Sequence, residues 1–364
     1  MAREEIKGLP IYSPGMDIEE VKRTYGVQRV IKLASNENPC GPSPKAIKAI
    51  IDAVSQVNLY PDGSCFELRK SLSEKLNIAS ECLVFGNGAD EIIDFLFYAF
   101  FRPSERVIMG EPTFSSFFLS GMMMGAKVIF VPLVDFRHPV EEIVKAVDEK
   151  TRAIFIGSPH NPTGTICSED EFKYLLKRIP DDVLLVWDEA YGEYVEDPSY
   201  PDAIPYLSEY PNLVILRTFS KIYGLAGLRI GYGIASPQVV EYIERVRPPF
   251  NVNRLAQVAA LAALEDEEHV RRSKKTNSEG RRFLASELNR LGFEVVPSQA
   301  NFILFRYDHL LENLTERLLE RGIIVRDGVP LGCPGFIRLT VGKSEENVAV
   351  ISAIEDILRG RGCQ

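Results

Sequence analysis

Lys221 sits in RTFSKIYGLAGLRIGY, residues 217–232, two residues after Phe219 and just ahead of a glycine-rich apolar run. An ordinary surface lysine needs no such setting. Partial desolvation there favours the neutral amine, the form that can attack a carbonyl or carry a proton. Thr218 and Ser220 flank it with hydroxyls, and Arg229 follows eight residues later. Two more polar groups stand where apolar runs end. Asn161 lies in SPHNPTG, past the run at 152–157, and Asp188 closes VLLVW with Tyr191 one helical turn on. An amine, an acid and an amide at neighbouring strand ends form a site-like set, because ligands of open parallel α/β sheets bind beyond the carboxyl ends of the strands. Each residue alone has a plainer reading. Asn161-Pro162 with Gly164 is turn chemistry, Asp188 is a helix cap, and Lys221 is a snorkelling chain. All three being structural together takes three separate coincidences.

GNGADE, residues 86–91, adds an anion candidate. Small residues there precede a helix whose first turn offers free N–H groups at Ala89 and Asp90, and a helix N-terminus attracts anions through those donors and its dipole. With the Thr218 and Ser220 hydroxyls and the Arg229 guanidinium it would complete a phosphate cup. Neither G-x-G-x-x-G nor G-x-x-x-x-G-K-[ST] occurs, so the dinucleotide and P-loop patterns are absent.

The elements that must position these groups follow from patterning. The chain has 364 residues, 45% hydrophobic and 26% charged, enough for a large domain and a smaller one. Residues 1–30 read as an arm with a short helix at 17–25. From 31 to 250, short β-branched runs alternate with amphipathic helices, which predicts a large α/β domain with a mostly parallel sheet covered on both faces. Strands are expected at 106–110, 126–131, 152–157, 182–188, 213–221 and 228–235, and helices at 89–101, 140–147 and 169–178. Residues 251–364 read as a small α+β domain. It has helices at 254–290 and 309–321, two strands within 293–306, and further strands at 322–327 and 336–342. A last helix starts at Ser344 as N-cap, with an apolar stripe of Val348, Ile351, Ile354 and Leu358. GMMMG at 121–125 reads as packing.

Composition narrows the function classes. Net charge is −9 with no basic run, which argues against nucleic acid as a partner. Six scattered cysteines without a C-x-x-C pair read as reduced thiols of a cytoplasmic protein. Four histidines and no H-E-x-x-H predict no dedicated metal site. MAREEIKGLP lacks the apolar core of a signal peptide. The run IIDFLFYAFF is too short to span a bilayer, so no membrane association is expected.

Six segments carry a specific resemblance. SNENPCGPSP (35–44), LYPDG (59–63), GNGADE, SPHNPTG, VWDEAY (186–191) and RTFSKIYGLAGLRIGY occur in this order. Together they resemble the fold-type I pyridoxal-phosphate aminotransferases, most closely the histidinol-phosphate branch, from about residue 30 to the C-terminus. The resemblance implies pyridoxal 5'-phosphate as cofactor, an electron sink for a carbanion at the substrate α-carbon. It makes Lys221 the lysine that carries the cofactor and moves the proton, and Asp188 the acid opposite the ring nitrogen. Asn161 and Tyr191 become the partners of the phenolic oxygen. The phosphate falls to the Ala89 and Asp90 N–H groups, Thr218, Ser220 and Arg229. Phe114, in EPTFSSF, matches the ring-stacking aromatic; many relatives have tyrosine there, so a hydroxyl contact is lost. Tyr60 resembles a tyrosine that reaches the phosphate of the neighbouring subunit, which implies a homodimer with shared sites. Its plainer reading is an aromatic beside the Pro61-Asp62-Gly63 turn. Arg338, in FIRLTVG, matches the arginine for the substrate's acidic group, and Arg326, in GIIVRD, a second anion contact. Asn36 lies in the segment that folds over the site and contacts substrate. The implied substrates are amino donors and 2-oxo acids, with glutamate/2-oxoglutarate and histidinol phosphate/imidazole-acetol phosphate as the pairs of a step in histidine biosynthesis. An aromatic amino-acid aminotransferase and a phosphothreonine-type decarboxylase share the fold. A cofactor-sensing regulator would add a DNA-binding domain, and no basic helix is present.

Overall fold

Buried runs of β-branched and aromatic residues need partners on both sides, and the computed structural model, which describes residues 3–9 and 16–360, supplies them. The strands in chain order are β1 (Ile31–Leu33), β2 (Leu83–Gly86), β3 (Arg106–Glu111), β4 (Lys127–Pro132), β5 (Thr151–Gly157) and β6 (Leu184–Asp188). They continue with β7 (Leu213–Thr218), β8 (Gly231–Ala235), β9 (Glu294–Val296), β10 (Phe302–Arg306), β11 (Ile323–Asp327) and β12 (Phe336–Thr340). Seven form one sheet in the order β2-β8-β7-β6-β5-β3-β4, parallel except for β8, which runs antiparallel to both neighbours. This is the mostly parallel α/β sheet expected.

Alternation along the central strands divides the core. Ile154 and Ile156, Leu185 and Trp187, and Ile215 pack on one face. Ala153 and Phe155, Val186, and Val214 and Leu216 pack on the other. Successive side chains of a strand point to opposite faces, so each strand feeds both layers. The helix Ala89–Phe100 and the helix Pro237–Val246 cover one face through Ile92, Leu96, Val240 and Ile243. The helix Glu169–Arg178, closed by a Ser168–Glu171 capping box, lies on the other through Phe172 and Leu175.

The second sheet has the order β1-β11-β12-β10-β9 and its own core, with Leu284, Phe305, Ile337 and Ile354 at the centre. Two features shift the expected division of the chain. β1 pairs in parallel with β11, so residues 31–33 join the second sheet rather than the large unit. The helix Arg254–Leu264 buries Ala256, Ala259, Ala260 and Ala263 in the core of the large sheet, so the large unit runs past residue 250. Alanines let that helix approach closely, and neither shift is visible in local patterning.

Smaller expectations also move. The helix foreseen at 309–321 is only Leu314–Leu319, because Asn313 takes a left-handed backbone (φ +53°) directly before it. In the final helix, Ser344–Arg359, the cap position is Lys343, whose N–H is held by Glu346 at 2.7 Å. Val348 is exposed, and the buried stripe runs through Val350, Ile351, Ile354 and Ile357. Pro10, Pro14 and Gly15 of the arm lie outside the described residues, and the arm holds a one-turn helix at Glu4–Lys7 besides the expected one, which spans Ile18–Tyr25.

Candidate active site

β7 ends at Thr218, and the chain then turns sharply with Phe219 and Ile222 buried on either side of Lys221. The Gly224 N–H closes on the Lys221 carbonyl at 3.0 Å, and Leu225 on Phe219 at 3.0 Å. Gly224 holds φ +69°, and a Cβ there would strike the Gly41 carbonyl oxygen at 2.2 Å, so the N-terminal segment lies directly on this loop. Asn38 reinforces the contact by donating to the Ile222 carbonyl at 2.7 Å. Two buried anchors around one lysine answer why such a residue sits in an apolar run. They fix its backbone while Nζ reaches the Ser35 carbonyl at 3.4 Å and lies 5.5 Å from the centre of the Tyr191 ring.

Asp188 is the last residue of the buried strand β6, and one of its oxygens accepts the Ala190 N–H at 2.8 Å. Burial pushes its carboxyl up to about 7; Asp90 and Glu189 add to the rise, while the Ala190 N–H and Lys221 oppose it. Tyr191 accepts from Asn36 Nδ2 at 3.0 Å, which leaves its own O–H as a donor. Asn161, past the end of β5, accepts Arg338 Nη1 at 2.6 Å through Oδ1, so Nδ2 is the donor end of that amide. Arg338 also donates to the Ala34 carbonyl at 2.8 Å. Arg326 stands directly opposite Arg338 in the β11–β12 register. Lys221 lies against Tyr191 and Tyr191 is bonded to Asn36, while Arg338 holds Asn161; the two groups meet on the successive residues Ala34, Ser35 and Asn36, and Asp188 faces Lys221 electrostatically.

The phosphate candidates gather at the other end. Gly88 holds φ +85° ahead of the helix that begins at Ala89, and a Cβ there would come within 2.5 Å of Arg229 Nη2. Arg229 pairs with the Asp90 carboxylate at 3.1 Å. Asp90 also accepts Ser116 Oγ at 2.9 Å, which brings the segment of Phe114 to this end. Ser220 and Thr218 are buried beside it, joined by a 3.1 Å bond from the Ser220 N–H to Thr218 Oγ1. Tyr60 is the exception. Its side chain is 80% exposed and stacks on Phe250 at 4.9 Å, apart from the cluster within one chain.

This donor set suits pyridoxal phosphate. One end offers helix N–H groups, two hydroxyls and a guanidinium, the equipment for a phosphate. The other offers a carboxyl that burial pushes up, and a protonated ring nitrogen facing it would be a fitting cation. Sequence reading missed several groups here. The Ser35 and Ala34 carbonyls carry no side-chain signal. Thr340, which donates to Asn36 Oδ1 at 3.0 Å and accepts its N–H at 2.9 Å, and Asn301, which donates to the Asn36 carbonyl, are legible only in three dimensions.

A parallel sheet with lysine, acid and amide at its strand ends, beside a smaller sheet bearing two arginines, defines the fold-type I aminotransferase class. The chain belongs to the family aminotransferase class I and II, whose model matches residues 28–354. It is 45% identical over 357 residues to histidinol-phosphate aminotransferase of Moorella thermoacetica, covering 98% of this chain and 92% of the relative. With the Brevibacillus brevis protein of the same name it shares 46% over 358 residues, 98% of each chain. The crystal structure of histidinol-phosphate aminotransferase from Sinorhizobium meliloti, in complex with pyridoxal-5'-phosphate, is similar with a TM-score of 0.89. That match has 25% identity and covers 98% of this chain and 97% of the other.

Proposed function

We propose that this chain is a pyridoxal-phosphate-dependent transaminase of histidine biosynthesis. It converts histidinol phosphate and 2-oxoglutarate to imidazole-acetol phosphate and glutamate, and the reverse. One observation carries the reading: likeness to relatives of that name over nearly the whole chain.

When bound, pyridoxal phosphate supplies the sink for the electron pair released at the substrate α-carbon. The protein's residues do the rest. Lys221 Nζ would anchor the cofactor, and its free amine would carry the proton between the substrate α-carbon and the cofactor carbon. The Asp188 carboxylate holds the proton of the ring nitrogen. A cation facing it would lower its raised value, since an opposite charge favours the ionised form. Tyr191 O–H and Asn161 Nδ2 would donate to the phenolic oxygen, with Asn36 and Arg338 fixing their orientation. Ala89 and Asp90 N–H, Thr218, Ser220 and Arg229 would hold the cofactor phosphate, and Phe114 would pack against the ring. Arg338 and Arg326 present two forks that suit either a carboxylate or a phosphate monoester, so one site accepts both substrates.

The working unit is a homodimer. Ile47 and Ile51 on one helix face, then Val54, Val57, Leu59 and Phe66, are all at least 43% exposed, an apolar surface suited to a second copy. Tyr60 lies within it and reaches the partner's phosphate end. Cys40, Cys65, Cys82, Cys167 and Cys333 are free thiols, which suits the cytoplasm, and no helix among the described residues is long and apolar enough to cross a membrane. A coupled assay with histidinol phosphate and 2-oxoglutarate, run beside phenylalanine, tests the substrate. Brisk turnover of phenylalanine with none of histidinol phosphate assigns the chain to aromatic transamination instead. A monomer in sedimentation overturns the shared site.

A further inference from the structure

Glu189 and Arg217 are charged, largely buried and unused by the chemistry above. The Glu189 side chain is 2% exposed and that of Arg217 20%. Arg217 sends Nε, at 2.8 Å, and Nη2, at 2.7 Å, to the same oxygen, Oε2. Trp187 Nε1 donates to Oε1 at 3.1 Å. Stability alone gives no reason for such a pair, because replacing a buried ion pair by apolar groups is often neutral or better. Its location does. The paired register of β6 and β7 ends at Asp188 opposite Leu216. Beyond it, the Glu189 N–H still reaches the Leu216 carbonyl, and the Glu189–Arg217 pair is the next crosslink outward. On one side of that crosslink lie Asp188 and Tyr191, and on the other Thr218, Ser220 and Lys221. Glu189 also holds the turn that bears Tyr191, since its carbonyl accepts the Gly192 N–H at 2.9 Å.

We propose that the Glu189–Arg217 pair is a positioning device that locks the loop of the acid and phenol to the loop of the lysine. The inference rests on the reading of the site as a pyridoxal-phosphate transaminase. The two loops meet where Lys221 Nζ lies over Tyr191, so relative slip between them changes the distance from amine to ring. With Oε2 held by two Arg217 donors and Oε1 by Trp187 Nε1, both carboxylate oxygens are fixed, which resists rotation as well as translation. The pair also sets the local field: Asp188 is faced by Asp90, Glu189 and Lys221, and Arg217 by Glu189, Tyr232 and Glu193.

Arg217→Lys keeps the buried charge but loses the fork, so it is the decisive variant. The holoenzyme is examined by the pH midpoint of its cofactor absorbance band, by kcat and KM for glutamate, and by thermal midpoint. The expected result is a fall in kcat on the order of tenfold to a hundredfold, the cost of a small misplacement near the chemistry. KM should stay within about threefold while the band midpoint moves, as for an interaction made only at the transition state. Should Arg217→Lys not fold, the charge-free pair Glu189→Gln with Arg217→Met takes its place under the same readouts. A variant with the parent's band midpoint and kcat, altered only in thermal midpoint, overturns the positioning role. A parent protein that develops no band with pyridoxal phosphate overturns the underlying reading instead.

Discussion

The two ends of the site are built on opposite terms. At the ring end Asp188, Asn36, Tyr191 and Arg338 are all buried, and their bonds lie in a dry interior. At the phosphate end the Thr218 and Ser220 hydroxyls are buried too, but the charged pair, Arg229 and Asp90, is 43% and 44% exposed. Charges act strongly where water is excluded and weakly where it is not. On the proposed reading, the ring end tunes chemistry, while the phosphate end chiefly holds the cofactor in place. Substitutions at the two ends should separate into effects on kcat and effects on cofactor affinity.

Lys221 belongs to both ends, and its loss is the largest effect expected. Lys221→Ala should lower turnover by more than the roughly 10²–10⁴-fold typical of a positioned acid–base group, because the anchor goes with it. Borohydride should then fail to fix the cofactor to the peptide spanning residue 221, as mass spectrometry would show.

Asp188→Asn comes next. Removing a preorganised charge at the reacting ring should cost about 10²–10³-fold in kcat. The same change should stabilise the cofactor-free protein, and the sign follows from burial. The carboxyl stands at 3.8 ordinarily and at about 7 in the folded chain. The folded state thus binds this proton more tightly, so the contribution to stability is full below about pH 4 and is lost as pH rises through 7. Asparagine loses nothing over that window. Chemical denaturation should find variant and parent alike near pH 4, and the variant more stable by roughly 2–4 kcal/mol at pH 8. Equal stability at both pH values would mean that Asp188 is not in a dry site.

Much of the ring end was legible in the chain because strand-end polar residues break runs that are otherwise apolar. Asp188 after VLLVW and Lys221 between Phe219 and Ile222 stand out for that reason. What escaped was what backbone supplies or distance hides. Ser35 and Ala34 act through carbonyls, which no residue type announces. β1 joins β11 across nearly 300 residues, and three apolar-polar positions give no hint of that partner. The helix Arg254–Leu264 reads as the start of a second unit because its alanine face fits either core. Tyr60 shows the converse: its motif marked it, yet within one chain its ring lies exposed, stacked on Phe250, and its carbonyl accepts from Arg254.

Arg338 tests whether the dry end extends into the second sheet. Its bonds to Asn161 and to the Ala34 carbonyl make it a bridge between the ring end and β12. Arg338→Lys should lower kcat/KM for glutamate and for histidinol phosphate together by about 30-fold to 1,000-fold. That is the scale of truncating one partner of a buried, hydrogen-bonded charge. A loss confined to glutamate would show that Arg326 alone takes the phosphate monoester.

Arg229→Gln should give the smallest effect on rate and the clearest view of the other end. The guanidinium is the exposed member of the phosphate cup, and its pair with Asp90 is the kind of surface ion pair that contributes about 0–1 kcal/mol to stability. Thermal stability of the cofactor-free protein should therefore barely move. A charge-assisted bond to phosphate is worth about 1.5–3 kcal/mol, so the cofactor's Kd should rise by roughly one to two powers of ten. Salt should weaken cofactor binding less steeply than in the parent, because one screened attraction is gone. With pyridoxal phosphate in excess, kcat should stay within about threefold, since helix N–H groups and the buried Ser220 and Thr218 hydroxyls still orient the phosphate. If kcat at saturation instead falls as far as in Asp188→Asn, the phosphate end takes part in the chemical step, and the contrast between a dry tuning end and a wet holding end breaks.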